Sequence, residues 1–244
     1  MELTDLVVPA VVVAAALLAS TLAAVAGFGG AAIMLPLLVW AYGIRDAVPI
    51  LTVAQLMGNL ARVFFNWNEI SLRVVRWFAL GAVPAAIAGG IIFATAPIPA
   101  LVRVVGIFLL LIVAYRHTRW GQRLRIGLRG FAPLGAISGL LSAIAGTVGP
   151  FMAPFFLVFG LVKGAYIGTE ALSTVVMHVT KLGVYGGYSL LSLRSVAVGL
   201  AIGAVMFIGS YLGKRILSRV PERYFPYLVE AVLVVAGLLF VIRG

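Results

Sequence analysis

The sequence predicts an all-α polytopic integral membrane protein built as two inverted-topology repeats of about five hydrophobic segments each, with helices broken or re-entrant at glycine clusters. Three observations predict it. Hydrophobic residues fill 63% of the 244 positions and charged residues only 10%, whereas about a quarter of a soluble domain is charged; the mean hydropathy is +1.17. Apolar runs of about 18 residues or more, the length that crosses a bilayer, recur along the chain. A basic stretch, Arg116–Arg129 (RHTRWGQRLRIGLR), falls near the middle and divides them.

Five segments precede that stretch, at about 6–26, 31–42, 47–66, 72–95 and 98–115. Five follow it, at about 131–146, 150–162, 164–185, 193–213 and 225–242. The first run opens with the acidic Glu2 and Asp5, where a cleaved secretory signal carries positive charge, so it is read as a retained helix. The resulting division is residues 1–118 as the first membrane repeat, 119–129 as a basic cytoplasmic linker and 130–244 as the second repeat.

Orientation follows from the basic residues. With the central stretch on the cytoplasmic side, alternation puts Arg73, Arg76, Lys163, Lys214, Arg215, Arg219 and Arg223 on that side too. Arg45, Arg194 and Arg243 fall opposite, and Arg62, Arg103 and Lys181 fall within segments. Twelve of the 18 basic residues inside against three outside is the bias that orients inner-membrane proteins. It predicts a multi-pass protein of the cytoplasmic membrane with both termini outside. An odd number of segments per half inverts the second half relative to the first. A shift of 119 residues superposes Gly27 on Gly146, Gly30 on Gly149, Asn59 on His178 and Arg62 on Lys181.

The second segment of each half is short. About 12 residues make about 18 Å of helix at 1.5 Å per residue, against a hydrocarbon core of about 30 Å. Each follows an uncharged glycine cluster, AGFGG at Ala26–Gly30 and AGTVGP at Ala145–Pro150. Such a turn is expected inside the membrane, at a broken helix or the tip of a re-entrant hairpin, where protein or a wet cavity must satisfy its backbone. Whether these segments cross fully or return is open from sequence. A glycine turn feeding a helix also presents N–H groups at a positive dipole end, which suits an anion. Gly27, Gly29, Gly30, Gly146, Thr147 and Gly149 are therefore candidate substrate ligands. For most other glycines, including Gly199/Gly203 and Gly209/Gly213, close helix packing is the better reading.

The third segment of each half carries a polar stripe. Gln55, Asn59, Arg62 and Asn66 recur at helical spacing, as do Glu170, Thr174, His178, Lys181 and Tyr185. A charge near the bilayer centre costs at least about 2.5–3.5 kcal/mol, so these stripes should face a bundle interior or a cavity. Gln55, Asn59, Arg62, Thr174 and Lys181 are added to the candidate substrate site. Glu170 and His178 are the candidate proton-coupling residues, because the unperturbed imidazole titrates at about 6.5 and a buried carboxyl is sensitive to its neighbours. Arg62 and Lys181 stand about one turn from a helix end, which also allows them to snorkel to the headgroups, as is expected of Arg103. Thr52, Ser138, Ser142 and Thr147 either line a path or bond back to their own helices.

Other function classes are excluded. The net charge of +11 lies mostly in loops between apolar runs, so it orients the protein and does not point to nucleic acid. No cysteine is present, which removes disulfides, thiolate catalysis and cysteine-ligated metals. The sequence GAISG around Ser138 lacks the spacing and the carboxylate of a serine hydrolase. Two histidines and few carboxylates do not make a metal site. No cofactor and no enzymatic activity are expected.

Two stretches, AGFGGAAIMLPLLVWAYGIRDAVPILT at 26–52 and GLLSAIAGTVGPFMAPFFLVFGLVKGAYIGTEAL at 139–172, resemble the sulfite exporter TauE/SafE family of membrane transporters. Each has the glycine cluster, proline within the short segment after it, a bend, and then a helix rich in small residues. Lys181 with Tyr185 also fits. The second tip departs from the pattern, with Thr147, Val148 and Pro150 in place of further glycine. The resemblance implies a secondary transporter that moves a sulfite-like oxyanion or an organosulfonate across the cytoplasmic membrane. The partners expected are that small anion, membrane lipid and a coupling proton; the sequence neither requires nor excludes a homo-oligomer. A passive anion channel, and a membrane scaffold or enzyme subunit without flux of its own, are the rival readings.

Overall fold

A computed structural model describes residues 3–26, 30–117 and 125–216, together with 234, 238, 241 and 242. Most of the expected tenth segment at 225–242, most of the basic linker, and Gly27 and Gly29 lie outside the described residues. Within them the chain is helical, without strands. The helices are α1 (Leu3–Ala26), α2 (Gly30–Phe65), α3 (Leu72–Thr95), α4 (Ile98–His117), α5 (Phe131–Ala145), α6 (Gly149–Val158), α7 (Lys163–Gly187) and α8 (Leu193–Ile216). Short 3-10 turns at Trp67–Glu69 and Leu128–Gly130 precede α3 and α5.

Among the described residues four stretches are long and apolar enough to cross a membrane: Gly30–Phe65, Leu72–Thr95, Leu128–Ala145 and Leu193–Gly213. The distribution of side chains fits a lipid solvent. Leu18, Trp40, Phe64, Leu80, Leu111 and Ile208 are exposed, while Thr52, Asn59, Arg62, Glu170, His178 and Lys181 are buried. Arg103 is exposed on α4, where a long side chain on a lipid face reaches for the headgroups.

The expected segments 31–42 and 47–66 are the two arms of α2. They meet at Gly43, whose φ of 72° and ψ of 160° interrupt the helix in a region that glycine alone enters without strain. Just past that kink, Arg45 reaches the end of α3. Its guanidinium donates to the carbonyls of Ala94 (2.7 Å), Phe93 and Ala96, supplying partners that the last turn of a helix lacks. At the other end of α3, the Ser71 amide donates to the Thr169 hydroxyl at 2.9 Å, tying it to α7. In α8, Ser192 and Ser195 exchange side-chain and backbone hydrogen bonds across the first turn, in the manner of a capping box.

Helix packing relies on small residues. α3 lies most extensively against α5, and α1 against α8; α2 and α7 pack on each other, α2 also on α8 and α7 on α3. At the α3–α5 crossing the backbones nearly touch: a Cβ at Gly139 would strike the carbonyl of Ala82, one at Gly135 that of Phe78, and one at Gly81 that of Ala132. On α8 the two GxxxG pairs serve different neighbours. Gly199 and Gly203 seat Val53 and Met57 of α2, while Gly209 and Gly213 seat Ser20 and Thr21 of α1. Helices that lack a hydrophobic drive toward one another in lipid gain from this close approach.

Candidate functional site

Both helix breaks and both polar stripes meet at one cavity. Its volume is ≈ 40 Å³, room for about three waters at about 10–15 Å³ of this measure each. The end of α1 contributes Ala23 and the start of α2 contributes Gly30 and Ala31. From the second half come Ser142 near the end of α5, the turn Gly146–Val148, and Gly149 at the start of α6. Gln55, Asn59 and Arg62 enter from the middle of α2, and Glu170, Thr174 and His178 from α7.

The second break has a clear local cause. α5 ends at Ala145, and Gly146 at φ 73° takes the left-handed cap conformation, its amide returning to the Ser142 carbonyl at 2.9 Å. α6 then starts at Gly149 with Pro150 in its first turn. Proline pre-sets helical φ and has no amide to leave unpaired. The helix runs only ten residues, about 15 Å at 1.5 Å per residue, so it is about half a crossing. Thr147, Val148 and Gly149 thus lie at a helix start, where amides lack partners within the helix.

Charge in the cavity is concentrated in one pair. Arg62 Nη1 lies 3.2 Å from Glu170 Oε2, and both residues are buried. Arg62 also donates to the Asn59 side-chain oxygen. Asn59 in turn donates to the Gln55 carbonyl at 2.7 Å, and the Thr174 hydroxyl to Glu170 Oε1 at 3.2 Å. Two buried polar atoms on cavity-lining residues, Gln55 Nε2 and His178 Nδ1, have no partner among the described residues. Buried polar groups are rarely left so without a water or ligand to meet them. Among the described residues no three His, Cys, Asp or Glu gather where they would hold a metal ion.

The cavity brings together most of the residues named from sequence: Gly30, Gln55, Asn59, Arg62, Gly146, Thr147, Gly149, Thr174, Glu170 and His178. Gly27 and Gly29 lie outside the described residues. Lys181 is fully buried yet does not line the cavity; its Nζ is 3.0 Å from the Ser142 hydroxyl and 3.2 Å from the Ser142 carbonyl. One turn on, Tyr185 donates to the Ala143 carbonyl at 2.6 Å. Arg62 and Lys181 are both buried in the bundle and do not lie on its outer surface. Thr52 bonds back to the Val48 carbonyl at 2.7 Å. Ser142 emerges as a lining residue that carries more than its sequence suggested, and its place four residues before Gly146 was the available signal.

A family model for the sulfite exporter TauE/SafE proteins matches residues 12–240, which is nearly the whole chain. The chain belongs to the sulfite exporter TauE/SafE family. Comparison with curated proteins and with solved structures gave no match. Membership makes this TauE/SafE protein a multi-pass membrane protein of a transport family, one that implies movement of sulfur anions such as sulfite.

Proposed function

We propose that this TauE/SafE protein is a secondary transporter that carries a small sulfur oxyanion or organosulfonate by alternating access around the cavity. The observation that carries the reading is the pairing of the lining residues. At a constant shift of 119 residues, Ala23 pairs with Ser142, Gly30 with Gly149, Gln55 with Thr174 and Asn59 with His178, and all eight line one cavity. The largest helix contacts also correspond when the halves are exchanged: α1 on α8 corresponds to α5 on α3, and α2 on α8 to α7 on α3. Both facts support two inverted repeats, divided near the basic linker, with the site on the axis between them. Alternation of the basic residues supports a cytoplasmic linker and external termini.

In this reading the Arg62 guanidinium supplies charge to an oxyanion. Gln55 Nε2 and the amides at Thr147–Gly149 supply hydrogen bonds, and Gly27–Gly30 contributes from the first repeat. Lys181 acts on the site through Ser142. Glu170 and His178 are the proton-coupling residues. The test is flux of sulfite into proteoliposomes, with a short alkanesulfonate, chloride and acetate alongside, with and without a pH gradient. Saturable sulfite flux driven by the gradient is expected. Non-saturating, gradient-independent flux of several anions would make the protein a channel, and no flux of any anion from folded protein would overturn the reading.

A further inference from the structure

The charges that line the cavity cancel. Arg62 brings a guanidinium from α2 and Glu170 a carboxylate from α7, 3.2 Å apart. A substrate oxyanion seeking the guanidinium therefore meets a position already filled by an anion of the protein's own. Both oxygens of that carboxylate are in use, one on Arg62 and the other on the Thr174 hydroxyl.

The groups around Glu170 leave few other ways to balance its charge. On its own helix stand Tyr166 and His178, with Lys181 three turns away and engaged with Ser142. From α2 comes Arg62, and the turn before α3 places Glu69, another carboxylate, against Gly164. α5 and α6 contain no titratable side chain, and those of α3, Arg73 and Arg76, are exposed. Two anions on one buried guanidinium repel. A carboxylate stripped of its cation in a low-dielectric interior is strongly destabilised, because its lost hydration is no longer offset. Uptake of a proton removes the difficulty: the carboxylate becomes a neutral acid, which still bonds to Thr174, and Arg62 is released to the substrate.

We infer that Glu170 is a resident stand-in for the substrate, holding the place on Arg62 that the transported oxyanion takes, and that it binds one proton when displaced. This rests on the anion-transport reading above. The balance is simple. A guanidinium–carboxylate pair plus a proton plus a monoanion becomes a guanidinium–oxyanion pair plus a carboxylic acid, so the loaded site is as neutral as the empty one. A monoanion would then cross with its proton without net charge, and a dianion would carry one negative charge.

The test is titration of the purified full-length protein with sulfite from about pH 5.5 to 8, following affinity and, in weakly buffered solution, proton uptake with an indicator dye. Wild type should take up one proton per bound anion beyond those accounted for by sulfite's own titration. Its affinity should fall by about a further tenfold per pH unit once the carboxyl is ionised in the free protein. Glu170→Gln should bind more tightly than wild type at the alkaline end and follow sulfite's own titration alone. Binding by wild type with no extra proton, or the same pH slope in Glu170→Gln, overturns the inference and leaves anion binding standing. Absence of sulfite binding by wild type at any pH overturns the anion reading itself. The proton uptake of wild type decides the matter even if Glu170→Gln does not fold.

Discussion

Lys181 and Ser142 join α7 to α5 beside the cavity: Nζ is 3.0 Å from the hydroxyl and 3.2 Å from the carbonyl of the same serine. The carbonyl belongs to the last turn of α5 and also accepts the Gly146 amide at 2.9 Å. The hydroxyl belongs to a residue that lines the cavity. One buried side chain thus braces the end of a broken helix and fixes a polar group at the site. With Tyr185 on Ala143, it anchors the tip that ends in Gly146.

Replacing that side chain should weaken both roles. Lys181→Met leaves the Ser142 hydroxyl without this donor, and a buried group so deprived costs about 1–3 kcal/mol. The thermal midpoint in detergent should drop, and sulfite affinity should fall about tenfold in the protein that remains folded. Tyr185→Phe, which removes a bond to the same turn but no lining residue, should lower the midpoint by a smaller amount and leave affinity near wild type. Equal affinity in Lys181→Met and wild type would show that the lysine serves the fold alone.

The turn at Gly146 makes a separate prediction. Its φ of 73° costs an L-residue roughly 1–2 kcal/mol, and a Cβ there would sit 3.3 Å from Leu35 Cδ1. Gly146→Ala should therefore lower the midpoint by several degrees, at about 2–4 °C per kcal/mol for a chain of this size. An unchanged midpoint would mean that the turn relaxes freely.

Two other glycines should behave in opposite ways. At Gly139 a Cβ would press into the Ala82 backbone, whereas at Gly183 nothing lies within 4 Å. Gly139→Ala should reduce the yield of folded protein, since backbone at the α3–α5 crossing cannot step aside without separating the helices. Gly183→Ala should be neutral or stabilising by up to about 1 kcal/mol, the helix preference of alanine over glycine. The two proteins can be compared by size-exclusion profile and thermal midpoint.

Much of this is legible in the sequence, for physical reasons that differ by residue. Apolar length places α1, α3, α4 and α8 within a few residues, because lipid leaves the backbone no choice but helix. The helical spacing of Gln55, Asn59 and Arg62 is enough by itself to put them on one face. What spacing within one helix does not reveal is the partner across the bundle. Glu170 reads from sequence as a proton-coupling candidate on the same stripe as His178, yet its charge meets Arg62 more than a hundred residues earlier. Lys181 pairs in the shift with Arg62, yet it turns to Ser142, because the second repeat has a serine where the first has Ala23. These are tertiary choices made by single side chains, and periodicity carries no trace of them.

The central claim is that a sulfur oxyanion binds on Arg62 within the cavity, and sulfite flux through one double variant tests it most directly. Arg62→Gln with Glu170→Gln removes both charges of the pair together, so no buried ion is left alone to unfold the protein. Folded double variant in proteoliposomes should lose saturable sulfite flux by about a hundredfold, the worth of about 3 kcal/mol for a charge-assisted contact. Arg103→Gln, which alters an exposed arginine on α4, should keep it. Wild-type flux from the double variant would contradict the account.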